Sequence, residues 1–215
     1  MKTKALLAAG LMMAASSASS LAQTVFSVNV VGFVNVSVPT GFSMISNPLD
    51  ATVNTVTAVL PTVPNGTRIF KFNPSTGGFV PNSFLFGIWS DTTMTLAPGE
   101  GIFIRNSSGS PFSITFVGNV KTGLSAVGLG LGFNMISSVV PQQGSLAPDL
   151  EFPIADGDRV YIFDNLTGSY DAYSYLFSAW AGPNNGTSAP IIAPGQSFWV
   201  KRNSVGSWAR NFVTQ

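Results

Sequence analysis

The chain has 215 residues, of which 45% are hydrophobic and only 9% are charged, with a formal net charge of +1. Ordinary soluble domains carry roughly 25% charged residues, so this composition favours an extracellular β-protein over a cytosolic enzyme. The near-zero charge excludes the strongly basic face that nucleic acid requires. The absence of Cys and His excludes a disulfide framework, a thiolate nucleophile, a Ser–His dyad and imidazole metal ligands.

The N-terminal residues 1–22 have the pattern of a signal peptide. Lys2 and Lys4 precede an apolar run from Ala5 to Ala15, and Ser20-Leu21-Ala22 supplies small residues for cleavage. The run is too short to cross a bilayer. We therefore expect a secreted or extracytoplasmic protein, located in the periplasm, on the outer surface or outside the cell, and not integral to a membrane.

The next segments read as β-strands. Val25 to Val38 is rich in β-branched residues with a period of two, which predicts a long strand. Gly41-Phe-Ser-Met-Ile-Ser46 follows a turn, and Gly132-Phe-Asn-Met-Ile-Ser137 repeats it 91 residues later. We expect both copies to be buried strands. Only Val53 to Leu60 has room for a short helix.

The segment from Gly66 to Trp89 also occurs twice in the chain. Residues 157–180 align with it without a gap, again 91 residues later, and nine of the twenty-four positions are identical. Both copies have a Thr-Gly pair among turn-forming residues between two apolar runs, which predicts a β-hairpin. Because aromatic residues kept in both copies usually pack in repeat cores, we expect Phe86, Phe177, Trp89 and Trp180 to be buried.

A third repeated block comes before the final strand of each copy. Leu96 to Arg105 matches Ile192 to Lys201 at an offset of 96, which implies an exposed insertion in copy two. The strand at 112–120 resembles both the first strand and the last one, 208–213. These two terminal strands are therefore candidates to close against each other or to pair between molecules.

These patterns predict an all-β protein. The sequence indicates two tandem homologous antiparallel modules, each sandwich-like or barrel-like, after the signal peptide. The predicted divisions are 1–22 for the signal peptide, 23–112 for copy one and 113–215 for copy two.

The repeated motifs resemble modules of known exported proteins. The motifs are Gly41-Phe-Ser-Met-Ile-Ser-Asn-Pro48, the strand Arg68 to Asn73, and Ala97-Pro-Gly-Glu-Gly-Ile-Phe-Ile-Arg-Asn106. They resemble β-repeat modules of secreted proteins of Bacteroidetes-type bacteria, and the opening VNVVGFVNVSVPTGFSMISNPL resembles uncharacterised exported proteins of Verrucomicrobia. The resemblance covers nearly the whole mature chain. It implies secretion and a β fold, and it brings no catalytic residues.

The aromatic residues and one arginine are the candidate ligand-binding residues. Tyr170, Tyr173 and Tyr175 are peculiar to copy two, and stacking aromatics beside amide and hydroxyl donors would form a sugar-binding face. Arg159 recurs in phase with Arg68 and could bind an anion or a sugar hydroxyl. The alternative is that each arginine is an ordinary strand residue.

Acidic residues cluster in copy two and suggest one weak metal site. Asp156, Asp158 and Asp164 are oxygen ligands that a Ca²⁺ ion would accept. The preferred interpretation is that these residues cap turns, because no calcium-loop spacing is present. No cofactor is expected.

Three functions remain open. The first is a non-enzymatic secreted or cell-surface structural protein that works through protein contacts, including self-association through terminal edge strands. The second is a carbohydrate-binding module that uses the copy-two aromatics and an extracellular glycan partner. The third and least favoured is a glycan-active enzyme, since without His or Cys the general acid–base options are few.

Overall fold

The computed structural model describes residues 30–213, and nearly all of its regular structure is antiparallel β-strand. The predicted signal peptide, residues 1–22, lies outside the described residues. The first half contains one short helix, α1 (Val56–Val59), and the strands β1 (Val31–Val38), β2 (Gly41–Ser46), β3 (Arg68–Asn73), β4 (Gly78–Leu85), β5 (Ile88–Trp89), β6 (Gly101–Asn106) and β7 (Phe112–Asn119).

The second half has a similar succession of strands and one 3₁₀ helix (Pro183–Asn185). Its strands are β8 (Gly123–Leu129), β9 (Gly132–Ser137), β10 (Gly144–Ser145), β11 (Arg159–Asp164), β12 (Ser169–Leu176), β13 (Ala179–Ala181), β14 (Ile191–Ile192), β15 (Ser197–Arg202) and β16 (Gly206–Phe212). No helix in residues 30–213 has both the length and the apolar character needed to span a bilayer.

Two five-stranded sheets have the same strand order. The first is β2-β6-β3-β4-β5 and the second is β9-β15-β11-β12-β13, so each repeated sequence block occupies the same place in its sheet. The predicted hairpins are β3–β4 and β11–β12, which pair from Arg68↔Ser83 and Arg159↔Ser174 respectively. The prediction of an all-β, sandwich-like fold is confirmed.

A two-stranded ribbon covers one face of each sheet. In the first half the ribbon is β1–β7, and in the second it is β8–β16. Strand alternation sends Ile69, Ile102 and Ile104 inward to meet ribbon residues such as Val38 and Phe116, and these side chains are essentially fully buried. Burying one such side chain contributes about 1.5–3 kcal/mol, so these layers form the main core of each half. We call the opposite face of each five-stranded sheet its outer face.

The ribbons determine where one unit ends and the next begins. The boundary predicted at residues 112 and 113 falls at the start of β7, which pairs with β1 along its whole length. The hydrogen bonds of β7 therefore tie it to the first unit. We accordingly define repeat one as 31–119 and repeat two as 123–212. The terminal strands do not pair with each other, because β16 pairs with β8.

The two repeats meet through reciprocal contacts. Ile45 of β2 forms an isolated bridge with Gln196, and Ile136 of β9 forms the equivalent bridge with Glu100. Each bridge is accompanied by one backbone hydrogen bond, from Ser46 N to Gly195 O at 2.9 Å and from Ser137 N to Gly99 O at 3.0 Å. Reciprocal contacts of this kind define a local twofold relation between the repeats.

Two glycines allow this close approach. Gly99 and Gly195 have φ values of +96° and +80°, in the left-handed region that disfavours other residues. A Cβ atom at Gly99 would lie 2.7 Å from a methyl group of Val127, and one at Gly195 would collide with Val36. The Ala-Pro-Gly turns predicted from sequence are therefore also the places where each repeat contacts the ribbon of the other.

Candidate functional site

The outer faces of the two sheets carry equivalent rows of side chains. In repeat one, pairing places Phe70 opposite Phe103, and Phe103 opposite Met44. The next row along the strands holds Arg68, Arg105 and Phe42 in the same order. These positions alternate with the buried isoleucines, so their side chains lie on the face away from the main core.

Repeat two has the same rows with related residues. Tyr161 lies opposite Trp199, and Trp199 lies opposite Met135. The neighbouring row contains Arg159, Lys201 and Phe133. The sequence blocks that are repeated within the chain thus define an outer face as well as a core.

The outer faces meet at the local twofold and form a third apolar cluster. Met44, Met135, Phe163 and Trp199 are buried there. The ring of Phe72 lies 4.8 Å from Trp199 with an interplanar angle of 81°. The equivalent pair, Phe163 and Phe103, lies at 5.4 Å and 89°. Edge-to-face contacts of this kind are favourable, so each hairpin anchors its Phe on the other repeat.

A groove remains open on each side of this cluster. Groove one has a volume of about 480 Å³ and is formed by repeat one together with the hairpin of repeat two. Its lining consists of Phe42, Phe70, Phe79, Phe103, Phe163 and Gly168. Phe42 is 44% exposed and Phe79 is 45% exposed, so the groove presents aromatic faces to solvent.

Groove two is its counterpart across the local twofold, also of about 480 Å³. Its lining consists of Phe133, Tyr161, Tyr170, Ala172 and Trp199. Phe133 is 44% exposed and Tyr170 is 45% exposed, values that match those of Phe42 and Phe79 in groove one. Phe79 and Tyr170 occupy equivalent hairpin positions, as do Phe70 and Tyr161, so groove two has a phenolic hydroxyl at each of these two positions.

A hydrogen bond fixes the polar end of groove two. The indole Nε1 of Trp199 donates to the hydroxyl oxygen of Tyr170 at 3.3 Å. Partial burial raises the pKa of the Tyr170 phenol, and the Trp199 hydrogen bond partly opposes that effect. The phenol is therefore neutral at physiological pH and keeps its proton for donation to a ligand.

The three tyrosines singled out in the sequence do not form one site. Alternation along β12 puts Tyr170 on the outer face and Tyr173 and Tyr175 on the other face. Tyr173 packs against the core of repeat two, and Tyr175 forms an edge-to-face pair with Trp180 at 5.2 Å. Of the tyrosines, only Tyr170 and the previously unselected Tyr161 line a groove. Arg159 is exposed on the outer face, opposite Lys201.

Each of the three acidic candidates already has a partner within the protein. Asp158 is buried and forms an ion pair with Arg202, whereas Asp156 accepts a hydrogen bond from Ser178 N. Asp164 accepts hydrogen bonds from Leu166 N and from the Thr167 hydroxyl, which lower the pKa of its carboxyl. Within residues 30–213, no three acidic side chains come close enough together to hold a metal ion.

The expectation that the shared aromatics are all core residues is wrong for two of them. Trp89 is 3% exposed and donates to Leu60 O at 2.8 Å, as expected of a core residue. Phe86 and Phe177 are instead 94% and 93% exposed. They lie in the two-residue turns that join β4 to β5 and β12 to β13, with φ near +54°. Trp180 is only partly buried.

Sequence reasoning missed most of the groove residues. Phe42 and Phe133 fall in strands that the sequence predicts to be buried, yet both side chains lie on the outer face. The repeat offsets together with strand alternation could have found them. The offset of 91 aligns Phe42 with Phe133, the offset of 96 aligns Phe103 with Trp199, and alternation then places these residues on one face of each sheet. Compared with known proteins, the chain matches no family model, no curated protein and no solved structure.

Proposed function

We propose that this is a non-enzymatic exported protein that binds a glycan chain in the two aromatic grooves. The observation that carries the proposal is the duplicated set of half-exposed rings, Phe42 and Phe79 in one groove and Phe133 and Tyr170 in the other. Of the functions left open by the sequence, carbohydrate binding accounts best for this set.

Exposed rings in matched positions carry an energetic cost that packing alone does not explain. A Phe or Tyr side chain buries 150–250 Å² when fully covered, so leaving about half of it in water forgoes roughly 2 kcal/mol per ring. The apolar faces of sugar rings could recover that energy by stacking, while their hydroxyl groups stay in water. This is the geometry of a shallow, open groove rather than an enclosed pocket.

The two grooves should differ in strength for a sugar ligand. Groove two offers the hydroxyl groups of Tyr161 and Tyr170, whereas groove one has Phe70 and Phe79 at the equivalent positions. A sugar hydroxyl that meets Tyr170 can form a hydrogen bond, and at Phe79 it cannot. We therefore expect groove two to be the tighter site.

A glycan array with purified mature protein tests the proposal. Tyr170→Ala should weaken binding by about tenfold or more, the value of one lost stacking contact, and Phe79→Ala should weaken it less. Tyr175→Ala is the matched control, because Tyr175 lies on the opposite face of the same strand and outside both grooves. Failure of the wild-type protein to bind any glycan would overturn the proposal.

Self-association through strand edges is the second candidate, supported by the β1–β7 ribbon. Phe33 of β1 is 71% exposed and lies opposite Val117, which is 57% exposed. Among the described strands, β1 pairs only with β7, which leaves its second edge available to another chain. Sedimentation velocity at high protein concentration tests this candidate. A strict monomer would exclude it, and a Phe33→Lys variant should shift any oligomer toward monomer.

A further inference from the structure

We propose that the ligand of the grooves is an acidic polysaccharide, whose carboxylate or sulfate groups are bound by a pair of cations at the end of each groove. This inference rests on the proposed function and specifies the chemical class of the glycan. The cation pairs are Arg68 with Arg105 in repeat one and Arg159 with Lys201 in repeat two.

Each pair places like charges directly opposite each other on neighbouring strands. Arg68 pairs in register with Arg105 between β3 and β6, and Arg159 pairs with Lys201 between β11 and β15. Directly paired residues in such ladders have Cα atoms about 5 Å apart, and like charges at that spacing are unfavourable. A bound anion between the two cations would reverse the sign of this interaction.

No protein carboxylate neutralises these cations within the described residues. The ion pairs in residues 30–213 are Lys71–Glu100, Lys121–Asp50 and Arg202–Asp158, and none of them involves the four groove cations. The neighbouring outer-face position on the adjacent hairpin strand is a serine in both repeats, Ser83 and Ser174. All four cations are exposed.

The cation pairs adjoin the aromatic floors. The guanidinium carbon of Arg105 lies 5.7 Å from the centre of the Phe42 ring, and Lys201 Nζ lies 5.6 Å from the centre of the Phe133 ring. Phe42 lines groove one and Phe133 lines groove two. A sugar ring stacked in either groove would therefore have its acidic substituent within reach of a fixed cation.

Cation–π packing explains only half of this arrangement. It accounts for Arg105 and Lys201, which contact rings, but Arg68 and Arg159 have no such contact, and no side-chain hydrogen bond from either is present within the described residues. An acidic ligand gives all four cations the same role. Arg presents a planar fork suited to carboxylate or sulfate, whereas Lys is a point charge, so groove one should discriminate more strongly for acidic sugars.

The test uses matched acidic and neutral polymers with the same backbone. The pairs are polygalacturonate against its fully methyl-esterified form, and dextran sulfate against dextran, measured by affinity electrophoresis and calorimetry at low and high salt. We expect at least a roughly tenfold preference for the acidic member at low salt, the value of one charge-assisted hydrogen bond. That preference should shrink at high salt because the cations are exposed.

Variants assign the preference to the cation pairs. Arg68→Gln with Arg105→Gln, combined with Arg159→Gln and Lys201→Gln, should abolish the preference for the acidic polymer, and a preference that survives in this variant would overturn the inference. Lys121→Gln is the control, because Lys121 is an exposed cation paired with Asp50 and lines neither groove. Thermal melting of each variant checks that the fold is retained.

The outcomes separate this inference from the proposed function. Equal, salt-independent binding of acidic and neutral polymers would overturn the acidic-ligand inference and leave glycan binding standing. Binding to no polysaccharide would overturn the proposed function itself. Equal affinity for single-stranded DNA of the same charge density would also overturn the inference, because the aromatic floors would then serve a polyanion of another class.

Discussion

The two repeats share a backbone plan but fill one pair of equivalent buried positions with different polar groups. Repeat one has Thr67 before β3 and Asn106 at the end of β6, and repeat two has Asp158 and Arg202 at the equivalent places. All four residues are at most 5% exposed. The same site in the same fold is therefore filled once by neutral groups and once by an ion pair.

The neutral pair of repeat one is satisfied by local hydrogen bonds. The Thr67 hydroxyl donates to Pro64 O at 2.7 Å, and Asn106 Nδ2 donates to Ser110 O at 2.8 Å. Asn106 Oδ1 accepts from Ser108 N at 2.9 Å. Each group thus shapes its own loop, and neither one depends on the other.

The ion pair of repeat two instead joins two loops. Asp158 Oδ2 lies 2.7 Å from Arg202 Nη1, and the carboxylate also accepts from Ala155 N and Asn203 N. Arg202 donates to Pro153 O, while its Nε has no hydrogen-bond partner. A buried polar group therefore needs hydrogen-bond partners but need not be charged. Where the site is filled by an ion pair, Asp158 and Arg202 each depend on the other.

The largest predicted effect comes from breaking this dependence. Asp158→Asn should lower the free energy of unfolding by about 3–5 kcal/mol, because it leaves a buried guanidinium without its counter-charge. Replacing both residues by the repeat-one pair, Asp158→Thr with Arg202→Asn, should recover most of the loss. Urea denaturation of the three proteins provides the measurement.

A partly exposed ion pair is the control for that prediction. Glu100→Gln breaks the Lys71–Glu100 pair, whose side chains are 26% and 33% exposed, and should cost less than about 1 kcal/mol. If Asp158→Asn costs no more than Glu100→Gln, the buried pair of repeat two is not the stabilising contact that its geometry indicates.

The predictable part of the fold is the part that depends on local pattern. Period-two alternation and the Thr-Gly turns identified the β3–β4 and β11–β12 hairpins, because both signals lie within a few residues. The partner of Asp158 was not predictable in this way, because Asp158 precedes β11 whereas Arg202 ends β15, far along the sequence. Long-range pairing of single polar residues leaves no periodic trace in one sequence.

The candidate site was only partly predictable for a similar reason. Aromatic content and the duplicated blocks indicate a binding face, and of the three tyrosines named from the sequence, Tyr170 lines a groove. Groove one is formed where Phe163 of repeat two meets Phe103 of repeat one, a contact that depends on the local twofold. Identity between the two copies does not by itself indicate burial, since Phe86 and Phe177 are identical and both are exposed.

A smaller effect, of opposite sign in the two repeats, is expected at the turns that join β4 to β5 and β12 to β13. The second turn residue is Gly87 in repeat one, at φ +82°, and Ser178 in repeat two, at φ +60°. Left-handed backbone costs a non-glycine residue about 1 kcal/mol or somewhat more. Ser178→Gly should therefore stabilise the protein by roughly 1 kcal/mol, and Gly87→Ser should destabilise it by a similar amount.

Thermal denaturation of both variants measures these opposite shifts. The amide of each turn residue donates to a side-chain oxygen, from Gly87 N to Asn65 Oδ1 at 3.2 Å and from Ser178 N to Asp156 Oδ1 at 2.9 Å, and neither substitution removes its turn's bond. Shifts of the same sign in both variants would show that backbone conformation does not govern these turns.

The smallest predicted effect is a pH dependence of stability that arises at the tip of the β11–β12 hairpin and has no counterpart at the tip of β3–β4. Asp164 Oδ1 accepts from Leu166 N at 2.8 Å, and Asn73 Oδ1 accepts from Ser75 N at 3.0 Å in the equivalent turn. Because the Leu166 amide and then the Thr167 hydroxyl lower the Asp164 pKa below 3.8, folding favours the charged carboxylate. That contribution is present above pH 3.8 and is lost as the pH falls through the lowered pKa.

Substituting Asp164 and Asn73, each by the other residue type, separates the contribution of Asp164 to the pH dependence of stability from that of other acidic residues. Asp50, Asp91 and Asp149 also have lowered pKa values, so the informative quantity is the difference in melting temperature between wild type and variant from pH 5 to pH 2. For Asp164→Asn that difference should change below pH 3.8, with the wild type losing more stability than the variant. Asn73→Asp should add the same acid sensitivity to repeat one. A difference that is flat with pH in both variants would mean that the two turns are equivalent despite their chemistry, since the exposed carboxylate would then have the same affinity for protons in the folded and unfolded chains.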